Sequence, residues 1–162
     1  MNSNSRRSPN VRWHWLFGLA IAALFISAGN LRADDMQHPI PRQRIEDPAE
    51  IRKLLTDHTL YGHYAGGQPW TEYHSPDGRT AYRENNCVYQ GHWWVQSGLV
   101  CFRYDAFNDG QPACFRLYHN GERLDFDFDQ GSGKWTLNAY TLDRKPGNPE
   151  KLPLQGQPCV GV

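Results

Sequence analysis

Four residues stand out for the chemistry their types and spacing permit: Trp70, Glu72, Tyr82 and Glu84. They lie at alternate positions of two short runs joined by Ser75-Pro76-Asp77-Gly78. Proline presets the backbone of such a turn and glycine takes its left-handed position, so the runs read as a β-hairpin. With a three-residue loop, Ser75 faces Arg79, Glu72 faces Tyr82 and Trp70 faces Glu84, and all four side chains share one face. Two rings beside two carboxylates suit a sugar, held by stacking and hydrogen bonds, or a cationic ligand. The plainer explanation is that the rings pack while the carboxylates stay wet at a rim. The pattern does not decide which face points inward, because Tyr73 and Ala81 opposite are equally packable.

Other constellations dissolve on inspection. Asp125-Phe-Asp-Phe-Asp129 has the carboxylate spacing of a calcium loop, but Gln130 stands where the tight-turn glycine belongs and Thr136 where the bidentate Glu belongs. Strand alternation explains the two phenylalanines. His38, His58, His63, His74, His92 and His119 form no helical pair with a nearby Glu, and a convergence of His63, His74 and His92 would be accidental. Ser75 beside His74 and Asp77 belongs to the turn, and no G-x-S-x-G elbow exists. No catalytic residue, metal ligand set or cofactor motif is assigned.

The elements that must position these residues are mostly strands. One helix, Pro48 to Asp57, is expected: Asp47 can cap it, Pro48 fits the first turn, Glu50 completes a capping box, and Ile51, Leu54 and Leu55 form a narrow apolar stripe. Strands are expected at Thr59–Tyr64, Trp70–Ser75, Thr80–Gln90, His92–Gln96, Leu99–Tyr104 and Lys134–Leu142. Asn120-Gly121 is a two-residue hairpin signal. With both residues in the turn, Leu117 faces Leu124, Phe115 faces Phe126, Ala113 faces Phe128 and Arg116 faces Asp125. With short connections and no helical crossover, the fold class is all-β: a small antiparallel meander closing into a barrel of seven or eight strands, with one short N-terminal helix.

The cysteines follow from the same faces. Val100, Phe102 and Tyr104 share the core side of their strand, leaving Cys101 on the other, and Cys114 sits opposite the face of Ala113, Phe115 and Leu117. Cys101 is therefore paired with Cys114, and Cys87 with Cys159 by elimination, the latter tying down the tail.

The ends and composition bound the rest. Arg6, Arg7 and Arg12 precede an uncharged apolar stretch, Leu16–Ala28, and Leu31-Arg32-Ala33 offers a cleavage site, so 1–33 reads as a signal peptide. The apolar stretch is too short for a spanning helix, which needs roughly 20 residues. Four of the 17 basic residues and none of the 17 acidic ones lie in 1–33, leaving a mildly acidic mature chain that argues against nucleic acid. Residues 34–45 read as a disordered leader, 46–142 as the helix and barrel, and 143–162 as a tail tied by Cys159. An exported chain with four cysteines favours disulfides over metal.

The runs TLYG, WTEY, SPDG, GHWW, CFRY and CFRL resemble a family of small exported bacterial proteins of unknown function, lipocalin-like in layout. The likeness covers roughly residues 51 to 140, and it implies export and a β fold but no active-site residues. The expected function is that of a periplasmic or secreted, non-enzymatic envelope protein, without a stable membrane anchor, binding a small ligand or a protein partner as a carrier or inhibitor. The alternative is a carboxylate-dependent enzyme acting on a glycan through Glu72 and Glu84.

Overall fold

The structure is a computed structural model, and it describes residues 41–156. Its strands are β1 (Gln43–Ile45), β2 (His58–Tyr64), β3 (Pro69–His74), β4 (Arg79–Glu84), β5 (Cys87–Gln96), β6 (Leu99–Tyr104), β7 (Ala113–Asn120), β8 (Arg123–Asp129) and β9 (Trp135–Pro146). Among the described residues there is one α-helix, α1 (Pro48–Leu55), two residues shorter at its end than the expected Pro48 to Asp57. Strands β2 to β9 are antiparallel neighbours throughout, and pairing of β9 with β2 closes them into an eight-stranded barrel. Closure leaves no long bare edge, as expected of a meander of short strands.

The helix begins as the sequence indicates. Asp47 caps it by accepting a hydrogen bond from the Ala49 amide at 2.9 Å, and Pro48 occupies the first turn. Glu50 does not complete a capping box; its carboxylate sits 3.1 Å from His119 Nε2 instead. Ile51 and Leu55 are fully buried, one turn apart on one stripe, and join Ile45 in the core. The helix packs against β2 and β5, near the turn that joins β5 to β6, and so plugs one end of the barrel.

Four further details differ from the sequence reading. First, the leader is not wholly irregular: Gln43–Ile45 forms β1, which pairs with the second half of β7 on the edge that β6 leaves free (Ile45 opposite Leu117, Val100 opposite Phe115). Second, the break expected at Gly91 falls at Asn85-Asn86, both with positive φ, the backbone a tight hairpin turn requires. Gly91 lies inside β5, opposite Tyr104. Third, β7 and β8 pair two residues away from the expected register. Leu117 faces Phe126, Arg116 faces Asp127 and Phe115 faces Phe128, because Gly121-Glu122 forms the turn with glycine first at φ 65°. A shift of two keeps every side chain on its face, so the apolar face survives while each partner changes. Arg116 lies over the Trp135 ring, and Asp125 is held by other arginines. Fourth, β9 runs to Pro146, and the chain after it is docked. Leu152 is buried against Tyr73 and Ala81 on the barrel's outer surface.

Cys101 and Cys114 face each other across β6 and β7 and form a disulfide. The expected partner of Cys87, Cys159, lies outside the described residues, as do the signal peptide and most of the leader.

Candidate functional site

The helix blocks one end of the barrel, and the other end holds a cavity of about 210 Å³. The strands running toward it carry inward-facing residues at every second position. Along β3 these are Trp70 and Glu72 in the cavity wall, then His74 deeper, toward the helix. From β4 comes Tyr82, from β6 Phe102 and Tyr104, and from the loop between β6 and β7 comes Phe107. The expected hairpin register holds, with Glu72 opposite Tyr82 and Tyr73 opposite Ala81. The face left undecided by the sequence is therefore settled: Trp70, Glu72 and Tyr82 point in. Tyr73 and Ala81 look equally apolar because they lie under Leu152.

Glycine makes room for the first of these. Gly62 pairs with Trp70 across β2 and β3, and a Cβ there would come within 2.3 Å of the indole ring. Only a glycine lets the ring lie against the strand at this point. The Trp70 indole N–H is buried and has no hydrogen-bond partner among the described residues. Buried donors are rarely left so without a ligand or water to meet them.

Glu72 is buried yet satisfied on one oxygen. Oε1 accepts hydrogen bonds from the Tyr104 hydroxyl and from Thr80 Oγ1, the latter at 2.9 Å. Oε2 lies 3.7 Å from His74 Nε2. Desolvation lifts the Glu72 carboxyl to about 7, against the pull of its two hydrogen bonds. Desolvation also drives the fully buried His74 imidazole down to about 3. The two therefore do not form an ion pair at neutral pH: the imidazole is uncharged. His74 packs edge-on against Trp93 and near Phe102, and among the described residues neither ring nitrogen has a partner within hydrogen-bond distance.

Glu84 stands apart from the other three. It accepts from the Tyr82 hydroxyl at 3.0 Å, which itself meets the Tyr64 hydroxyl at 2.6 Å. It does not line the cavity; it borders a shallow hollow at the outer rim with Thr71 and Arg83. Hydrolysis of a glycan by paired carboxyls needs both to flank one cleft. Glu72 and Glu84 do not meet that condition.

Tyr104, Thr80 and Phe107 were not singled out from sequence, and His74 was weighed only with His63 and His92 and beside the Ser75 turn, not as a neighbour of Glu72. Tyr104 was legible as a core-side residue of its strand, but its link to Glu72 spans 32 positions. Phe107 sits in a loop with no periodicity, yet its ring centroid lies 5.7 Å from Tyr104 and 5.9 Å from Tyr82.

The remaining sequence candidates have structural occupations. Asp125 and Asp127 pair with Arg42 at 2.8 and 2.6 Å, and Asp129 Oδ1 accepts from the amides of Gly131, Ser132 and Gly133. His63 sits beside the Tyr140 ring and His92 is exposed, so the histidines do not converge. No group of three or more His, Cys, Asp or Glu suited to a metal occurs among the described residues. None of their helices is long and apolar enough to cross a membrane.

No protein-family model, curated protein or solved structure matches this chain. The architecture itself is a closed, eight-stranded antiparallel barrel with one short helix among the described residues, a layout consistent with a lipocalin-like fold.

Proposed function

We propose that this chain is an exported, non-enzymatic binding protein that takes a small ligand into the open end of its barrel, in the manner of a carrier. The observation that supports it is the cavity itself. A space of about 210 Å³ lies among Trp70, Tyr82, Phe102, Tyr104 and Phe107, with a single buried carboxyl, Glu72, in its wall. An apolar cavity of about 150 Å³ admits benzene, whereas drug-sized ligands occupy roughly 300–1,000 Å³. The ligand is accordingly about the size of one ring with a short side chain. The unpartnered Trp70 N–H supports an occupant that offers an acceptor, either a lone pair or the face of an aromatic ring. Export rests on the basic and apolar character of residues 1–33, and membership of the exported family rests on the turn and aromatic motifs alone.

Native mass spectrometry of the protein purified from its own compartment tests the reading. A bound species of low mass is expected on the wild type. Ala113→Phe, which places a ring in the cavity, should abolish it while leaving the fold intact. An empty wild type, or a species retained by Ala113→Phe, would count against the site.

A further inference from the structure

We infer that the occupant of the cavity is a compact organic cation, an ammonium group on an apolar or aromatic body, whose charge pairs with the Glu72 carboxylate. The inference rests on the cavity being a ligand site and adds the sign of the ligand's charge. Among the described residues that line the cavity there is no lysine, arginine or histidine, and Glu72 is the one carboxyl. An anionic ligand would thus leave water for a low-dielectric space with no counter-charge to repay its desolvation. Among the described residues the Glu72 carboxylate has no positive partner either. Its Oε1 is occupied by the Tyr104 and Thr80 hydroxyls, and Oε2 has only the neutral His74 ring at 3.7 Å. Ring faces complete the setting. Trp70, Tyr82, Tyr104 and Phe107 all line the space, and aromatic faces attract a desolvated cation.

The pairing makes binding depend on pH in one direction. Among the described residues the titratable groups facing Glu72 are Tyr64 from β2, His74 from β3, Tyr82 from β4 and Tyr104 from β6; Glu84 hydrogen-bonds the Tyr82 hydroxyl, and its charge acts on Tyr82 and Tyr64. Burial raises all three tyrosines and lowers His74, so none of these four changes charge between pH 6 and 8. Burial holds Glu72 itself near 7. The empty site therefore carries a proton below neutrality, and an entering ammonium displaces it to solvent. An alkylammonium, like a lysine side chain, stays charged across this range.

The test uses three probes of one size: 2-phenylethylamine, 2-phenylethanol and phenylacetate, titrated into the purified chain by calorimetry. At pH 8 the amine should bind at least tenfold more tightly than the alcohol, and phenylacetate should bind more weakly than both. The amine's affinity should rise about tenfold from pH 6 to 8, following the ionised fraction of a group near 7, while the alcohol's stays level. Glu72→Gln should bring amine and alcohol to within about threefold of each other. Equal or tighter binding of the alcohol or of phenylacetate, or a pH-independent amine affinity, would overturn the inference and leave the cavity reading standing. Failure of all three probes to bind the folded wild type would overturn both. The wild-type comparisons decide the matter even if Glu72→Gln does not fold.

Discussion

Glu72 and His74 are two buried ionisable groups on one strand, and burial moves them in opposite senses relative to folding. Glu72 is raised from its ordinary 4.5 to about 7, so the folded protein holds a proton that the unfolded chain has released. Its contribution is fully present below about pH 4.5 and is lost as pH rises through 7. His74 is lowered from 6.5 to about 3, so its contribution is present above pH 6.5 and is lost as pH falls through 3. Between these limits the two slopes oppose each other, and only the carboxyl acts above pH 6.5. Glu72→Gln keeps an oxygen for Tyr104 and Thr80 but cannot ionise. The variant should therefore gain stability relative to wild type by roughly 3 kcal/mol between pH 4.5 and 8. Urea denaturation at the two pH values reads the difference. A gap that does not change with pH would show that Glu72 ionises in the fold as it does in the unfolded chain. Much of this residue chemistry was hidden from the sequence. Trp70, Glu72 and Tyr82 were legible as one face because their hairpin is local. The partners that set Glu72's acidity, Tyr104 and His74, depend on barrel closure, which no local spacing reveals.

At the scale of the element, short-range signals worked where turn chemistry admits one solution. Ser75-Pro76-Asp77-Gly78 set the register of β3 on β4, and Cys101 met Cys114 as the alternation of their strands implies. Asn120-Gly121 admitted two solutions of the same parity, and the one with glycine leading the turn is adopted. Three residues of the lead-in were unreadable as a strand because β1 is too short to show a period. Its anchor is Arg42, whose guanidinium meets the buried carboxylates of Asp125 and Asp127 at 2.8 and 2.6 Å and lies over the Tyr118 ring. Removing one partner of a buried charged group costs about 1–3 kcal/mol, whereas an exposed pair is worth about 0–1 kcal/mol. Arg42→Ala should thus destabilise the chain clearly more than Arg79→Ala, which breaks the surface pair with Asp77. Equal thermal shifts for the two variants would contradict the clamp. Gly62→Ala should be costlier still for the site, since its Cβ would collide with both the Trp70 ring and the Tyr140 carbonyl. The expected sign is a changed Trp70 fluorescence together with lost ligand affinity. An unperturbed indole would mean that the strand yields instead.

Across the whole molecule, the division of labour is between a closed end and an open one. Ile45, Ile51 and Leu55 seal the helix end, while the aromatic wall at the other end leaves space unfilled. The segment after β9 covers Tyr73 and Ala81 on the outside and is held by Thr59 to the Gly147 carbonyl at 2.7 Å and by Arg83 to Glu150 at 3.0 Å. That covering explains why both faces of the β3–β4 hairpin look apolar in sequence. The beginning of the chain carries its own test. The exported form should start at Asp34 or within a few residues of it by N-terminal sequencing, and an intact Met1 in a membrane fraction would contradict export by a cleaved signal. The central claim, that the cavity is the ligand site, is tested most directly by the Trp70 indole N–H. Its cross-peak in a proton–nitrogen NMR spectrum, assigned through Trp70→Phe, should shift on titration with 2-phenylethylamine, along with amides of the Phe107 loop. Amides of the open groove around Glu122 and Leu142, at the helix end, should stay in place. Shifts confined to that groove, or a Trp70 signal unmoved by the amine, by 2-phenylethanol and by phenylacetate at millimolar concentration, would contradict it.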